Sequence, residues 1–531
     1  MLGETQRGHG RTPGLSVRAL LASAAVAVAV FALSATAAVA TPQTVSWSKC
    51  FAKIGAYDCG TVQVPLDYDA PNGPTISIAL VRLRATEPSR RLGSLFLNPG
   101  GPGGSGVDYA VFAGPDLYTP EVRARFDLVG FDPRGIGRST ALRCFGSERQ
   151  WQPFFTPFAF PSTPDEEQVW IASEHYLDDA CAQRGGQIAD HMSTANVARD
   201  LDVLRRAVGD DKLTYAGVSY GSYLGVTYAN LFPNKVRAVV VDGVLDPIAW
   251  STGRGGEAAT VPFSTRLHSD AGAQATLDEF FRLCDAAGPA CAFSGDAAAR
   301  FAALGAALKA QPVFVELPDG SSFEVNYSML IGLALGSMYD STSWEDLAAT
   351  LADLESQAAP ARLGARLQRF IARPAYIAKR GFPRYPNFIE GFPAVACADS
   401  DNPGSYAAWS AAGAAADASS YFGRIWTWAS SICADWPHAD ADRYMGPFDR
   451  VTANPVLVVG NQFDPATRYE GAVVVHNLLP NSALLTVHGW GHTSLFLSHC
   501  ADEAIARYLV DRATPAPGTV CEQDHIPFTA P

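Results

Sequence analysis

The five residues Gly217-Val218-Ser219-Tyr220-Gly221 lie between an extended run, residues 213–216, and a helix-like run, residues 223–231. Glycine on each side of a serine at such a junction predicts a sharp, strained turn that lifts the hydroxyl above the end of a buried sheet. No other Ser in the chain has that pattern. The turn requires a strand that delivers the chain directly into a helix packed on the sheet. A serine held there becomes a nucleophile once a neighbouring base takes its proton. The remainder of the chain should therefore supply an imidazole, an acid and amide donors for an oxyanion.

The strand pattern agrees with that demand. Residues 94–97, 126–131, 236–242, 455–460 and 483–487 are short, mostly apolar runs, as expected of parallel strands covered on both faces. Residues 61–65 and 75–81 alternate in polarity around the turn Pro71-Asn72-Gly73-Pro74. Residues 193–208 predict a helix capped by Ser193 or Thr194, with Val197, Leu201, Leu204 and Val208 on one face. From 247 to 448 the rhythm changes to Ala-rich helical stretches, with one hairpin turned at Asp319-Gly320. The expected fold class is α/β: a mainly parallel central sheet with a mostly helical cap inserted. The expected division is core 41–246, cap 247–448 and core 449–531.

The amino end has the form of an export signal. Arg7, Arg11 and Arg18 precede or flank an Ala-rich apolar run, residues 19–33, and Ala38-Val39-Ala40 offers a cleavage site, so residues 1–40 are expected to be removed. The apolar run is short for a membrane span, and no stable membrane insertion is expected after cleavage. Ten Cys in an exported chain imply disulfides. Nearest-neighbour pairing would join Cys50–Cys59, Cys144–Cys181, Cys284–Cys291, Cys397–Cys433 and Cys500–Cys521. The formal charge of −13 becomes about −15 without the first forty residues, which argues against nucleic acid or an anionic membrane as partner. No Cys or His cluster has metal-site spacing, so a metal is not expected, and the Gly-rich loop 98–106 lacks the pattern of a nucleotide-binding motif.

His492, in the Gly-rich run His488-Gly489-Trp490-Gly491-His492 after a late strand, is the expected base; His488 is its competitor. Asp464 follows the apolar strand 455–460 and is the expected acid that orients the imidazole, although Asp before Pro465 also suits a helix cap. The order Ser, Asp, His is that of α/β-hydrolases. The oxyanion donors should be the amide of Tyr220 and one from the loop 98–106, where Pro99 and Pro102 have no N–H; Gly101 is the first choice and Gly100 the second.

These segments resemble the proline iminopeptidase/tripeptidyl aminopeptidase family of exported actinobacterial α/β-hydrolases. The resemblance rests on the loop 98–106, Asp132-Pro133-Arg134-Gly135-Ile136-Gly137-Arg138-Ser139, Gly217 to Gly221, residues 460–467 and Gly491-His492. Arg468 departs from the Pro that often follows Thr in the family's carboxy-terminal domain, and is expected near the acid loop. The resemblance implies a secreted enzyme, free or associated with the cell wall, that releases short units from free peptide amino termini without a metal or cofactor. It further implies recognition of the substrate ammonium by cap carboxylates, for which Asp399, Glu390, Glu257 and Asp435 are candidates. An exported esterase or amidase with the same three residues is the alternative, because the fold does not choose the acyl group.

Overall fold

The computed structural model describes residues 43–357, 359–379 and 387–529, without the side chains of 370–379. The export signal expected at residues 1–40 lies outside the described residues. Ten strands build one sheet, in the order β1 (Ser48–Cys50), β2 (Tyr57–Pro65), β3 (Thr75–Leu83), β5 (Phe126–Phe131), β4 (Gly93–Asn98), β6 (Leu213–Val218), β7 (Val236–Asp242), β10 (Val456–Phe463), β11 (Ser482–Trp490) and β12 (Val520–Glu522). The first three strands and the β3–β5 pair run antiparallel, and every pair from β5 to β12 is parallel. The hairpin β8 (Val313–Glu316) and β9 (Ser322–Val325) stands apart as its own two-stranded sheet.

β4 and β5 are buried at every position because helices cover both faces. On one face Val197, Leu201 and Leu204 of the helix Thr194–Ala207 join Tyr223 and Leu224 of the helix Tyr220–Leu231. On the other, Val107 and Ala110 of the helix Gly106–Phe112 join Ile505 and Leu509 of the helix His499–Asp511. Glycine permits the closest approach here: a Cβ on Gly130 would lie 2.0 Å from the carbonyl of Gly106.

The helices between β7 and β10 have a separate apolar core around Phe280, Phe301, Leu330 and Trp344. The helix Pro164–Arg184, which precedes the elbow, packs on the turn Ser431–Ala434 and donates Trp170 Nε1 to Ser431 Oγ at 3.0 Å. This helix lies outside the range 247–448 expected for the cap. All ten Cys are paired as nearest neighbours in sequence. No described helix is long and apolar enough to cross a membrane.

Candidate active site

β6 ends at Val218, and Ser219 takes φ 59° and ψ −129° before the helix Tyr220–Leu231 begins. A non-glycine residue rarely occupies this region, and such strain concentrates at functional sites. The turn is held by the Ser219 N–H, which donates to the Asp242 carbonyl at 2.9 Å. It is also crowded: a Cβ on Gly221 would lie 2.8 Å from Asn98 O, and one on Gly100 would lie 2.6 Å from Val218 O.

The loop after β4 is fixed by the Asp-Pro-Arg-Gly motif. Asp132 Oδ1 accepts from Ser105 Oγ at 2.5 Å and from Val107 N at 3.0 Å, while Oδ2 accepts from Arg138 N at 2.7 Å. Arg134, fully buried, makes two 2.7 Å bonds to Asp200 and donates to the carbonyls of Pro65, Leu66 and His191. Breaking such a buried, hydrogen-bonded pair costs about 3–5 kcal/mol. Within the loop, Gly100 N–H donates to Asn98 Oδ1 at 2.9 Å, whereas Gly101 lines the cavity that holds Ser219.

β10 and β11 deliver the other two side chains. His492 Nδ1 lies 2.9 Å from Asp464 Oδ1 and 3.0 Å from Oδ2. With Nδ1–H donating to the carboxylate, Nε2 is left as the acceptor. Burial opposes ionisation of Asp464, but His492 and the amides of Thr467 and Ala466 outweigh it and hold the carboxyl below its usual range. Burial likewise opposes protonation of His492, and Asp464 and then Asp242 outweigh it, so the imidazole sits above its usual range. Asp464 also caps the turn after it, accepting from Ala466 N and Thr467 N at 2.8 Å each. The following helix, Tyr469–Leu478, starts only after Arg468. Arg468 pairs with Glu470 at 2.8 Å and packs against the helix Ser269–Ala287 at Gly272.

Ser219, His492 and Gly101 line one cavity of about 630 Å³. No hydrogen bond joins Ser219 to His492 among the described residues; such contacts often tighten only with substrate bound. The rest of the wall is largely apolar, including Pro99, Leu117, Leu495 and Phe496.

The carboxylates expected to face a substrate ammonium lie elsewhere. Asp399 is buried and spends both oxygens on Thr194, at 2.8 Å to N and 2.6 Å to Oγ1. Glu390 is buried and accepts from Cys144 N at 3.3 Å. Glu257 lines a different cavity, behind Thr467 and Arg468, and caps Arg254 N at 2.8 Å. Asp435 pairs with His175 at 3.2 Å. His488 is a residue of β11 that pairs with Glu522 at 2.7 Å, outside the cavity. Three residues of the site carry no sequence motif that singles them out: Asp242, Asp340 and Thr467, whose Oγ1 donates to Asp464 Oδ2 at 2.9 Å. A strand-ending Asp beside the nucleophile strand is the one available signal. Among the described residues, Asp67, His191 and Asp442 bring potential metal-ligand atoms within 4.8 Å of one another, and none of them lines the Ser219 cavity.

Two family models match the chain: the alpha/beta hydrolase fold over residues 93–275 and the TAP-like protein family over residues 419–521. Serine protease Hip1 of Mycobacterium tuberculosis is 31% identical, with 90% of this chain and 91% of that protein aligned. The tripeptidyl aminopeptidase of Streptomyces coelicolor is 30% identical, over 91% of this chain and 87% of that protein. Carboxylesterase B of Mycobacterium tuberculosis is 32% identical, over 91% of each. With the elbow, the His–Asp pair and the parallel sheet in place, the chain belongs to the α/β-hydrolase family with a TAP-like carboxy-terminal part and is a serine hydrolase.

Proposed function

We propose that the chain is a secreted serine exopeptidase that removes short units from free peptide amino termini through an acyl-enzyme. Ser219 Oγ attacks the scissile carbonyl as His492 Nε2 takes its proton, and Asp464 holds the imidazole in the required tautomer and stabilises the imidazolium. The amides of Gly101 and Tyr220 receive the oxyanion. His492 then protonates the leaving amine, and water repeats the sequence to release the acyl group. The observation that carries the reading is the strained Ser219 opening, together with His492, into a cavity of about 630 Å³, which is roomy for a peptidyl acyl group. The named peptidases among the relatives support it. Five disulfides support export.

A second reading, an esterase or amidase acting on a non-peptide acyl group, is favoured by the carboxylesterase relative. A panel of tripeptidyl, dipeptidyl and aminoacyl nitroanilides beside acetyl and butyryl esters separates the two. The peptidase reading requires kcat/KM to be highest on a free-amine peptide, and turnover of the esters alone would replace it with the second. A fragment beginning near Thr41 in culture supernatant tests export; retention of Met1 in cells would refute it.

A further inference from the structure

One negative side chain stands in the wall of the Ser219 cavity. Asp340 is the only carboxylate among the described lining residues, and no Lys or Arg lines the cavity with it. Its position is fixed relative to the reacting groups. Asp340 pairs with Gly491 as an antiparallel bridge, the Tyr339 carbonyl accepts the His492 N–H at 3.0 Å, and the Tyr339 ring meets the imidazole edge-on with centroids 5.0 Å apart. The segment that carries the carboxylate is therefore strapped to the loop that carries the imidazole.

The two oxygens of Asp340 are used unequally. Oδ1 accepts from Thr342 N at 3.0 Å and from Thr342 Oγ1 at 2.6 Å, which sets the side-chain rotamer. Oδ2 makes no hydrogen bond or ion pair with any described residue. Water satisfies such an oxygen while the cavity is open. A ligand that fills the cavity displaces that water, and an anionic oxygen left without a partner would oppose binding. The complementary ligand is one that brings a cation with N–H donors to this point.

We propose that Asp340 receives the α-ammonium of the substrate and is the specificity-determining residue that restricts the cavity to peptides with a free amino terminus. This deepens the exopeptidase reading and rests on it. The group it selects is defined by charge and position: a protonated amine at the end of an acyl chain whose carbonyl lies at Ser219. Because the strap fixes the carboxylate against His492, the span from Asp340 to Ser219 limits how many residues the acyl unit contains.

The test compares one tripeptidyl nitroanilide with its N-acetylated counterpart on wild type, D340N and D340E. The asparagine side chain can still accept from Thr342, so the turn is retained and only the charge is removed. The wild type should prefer the free amine. In D340N the ratio of kcat/KM, free over acetylated, should fall by about 10- to 100-fold, the size of one charge-assisted hydrogen bond, chiefly through KM. D340E keeps the charge and should preserve more of the preference than D340N. A wild-type preference that survives unchanged in D340N overturns the role of Asp340 and leaves the exopeptidase reading standing. A wild type that hydrolyses both substrates equally overturns the exopeptidase reading and this inference together.

Discussion

Asp242 ties Ser219 to the loop of His492, its carbonyl accepting the Ser219 N–H at 2.9 Å while its carboxylate accepts from Ser494 N at 3.0 Å and Ser494 Oγ at 2.7 Å. β7 makes this possible because it pairs with β6 on one side and β10 on the other, so its last residue lies between the elbow and the acid strand. Burial raises the Asp242 carboxyl to about 6. It is the second negative group, after Asp464, that favours the protonated form of His492, and the Tyr339 ring covers the imidazole from the cap side.

Replacing Asp242 by Asn should therefore lower the pKa of His492 and move the acid limb of the kcat/KM–pH profile to lower pH. The direction follows because a lost negative charge disfavours the imidazolium. Ser494→Ala removes a hydroxyl donor that holds the Asp242 carboxyl down, so Asp242 should lose part of its charge and the limb should move in the same direction by less than in D242N. An unmoved limb in D242N would reduce Asp242 to a structural tether. Initial rates across pH 5–9 decide the point.

Ser219→Ala should abolish turnover and labelling by a serine-directed phosphonate. Asp464→Asn should reduce kcat by about 10³- to 10⁴-fold, because an amide favours the wrong imidazole tautomer. Asp464→Ala should lose stability as well as activity, since the carboxylate also accepts from Ala466 N, Thr467 N and Thr493 N. Active-site titration beside thermal melts distinguishes the two effects.

Gly100→Ala should lower kcat by about 100-fold or more, comparable to losing an oxyanion donor. The added methyl would lie 2.9 Å from both Ser219 Cβ and Tyr220 N, on a backbone with φ of 85° that disfavours side chains. The elbow and the loop would have to separate, displacing both proposed donors. Wild-type kcat in this variant would contradict the close packing of these two segments.

Glu174 and Asp178 occupy the helix that joins the cap side, and burial pushes both carboxyls up to about 8; Asp435 and Asp179 add to the shift of Asp178. A carboxyl whose pKa is higher folded than unfolded, where it is about 4, stabilises the fold fully below about pH 4 and loses that contribution as pH rises through the folded value. Tm should therefore fall between pH 5 and 9, and E174Q with D178N should flatten that slope. Differential scanning calorimetry at constant ionic strength measures it; a slope unchanged in the double variant would place its origin elsewhere.

Much of the site is legible in the amino-acid sequence because its signals are local. Gly217 to Gly221 specifies a turn within five residues, and the apolar runs before Ser219 and Asp464 mark parallel strands whose carboxyl ends lie on the same side of the sheet. The hairpin at Asp319-Gly320 is likewise legible from neighbouring residues; the five disulfides match nearest-neighbour pairing, but sequence alone does not fix connectivity, and the packed structure decides it. The prolines at 99 and 102 remove two amides of the loop but do not separate Gly101 from Gly100, and only the packed structure shows the Gly100 N–H donating to Asn98.

Local pattern in the chain is thus enough to specify the α/β architecture and to single out Ser219, Asp464 and His492, the three residues proposed for acyl transfer. Which carboxylates face the cavity emerges only when distant segments pack together. Asp399, Glu390 and Glu257 satisfy backbone and hydroxyl groups elsewhere, while Asp340 and Asp242 reach the site from segments remote in sequence from His492. The difference arises because a turn or strand is specified by contacts between near neighbours in the chain. The direction in which an acid points depends instead on which distant donors claim its oxygens in the packed molecule.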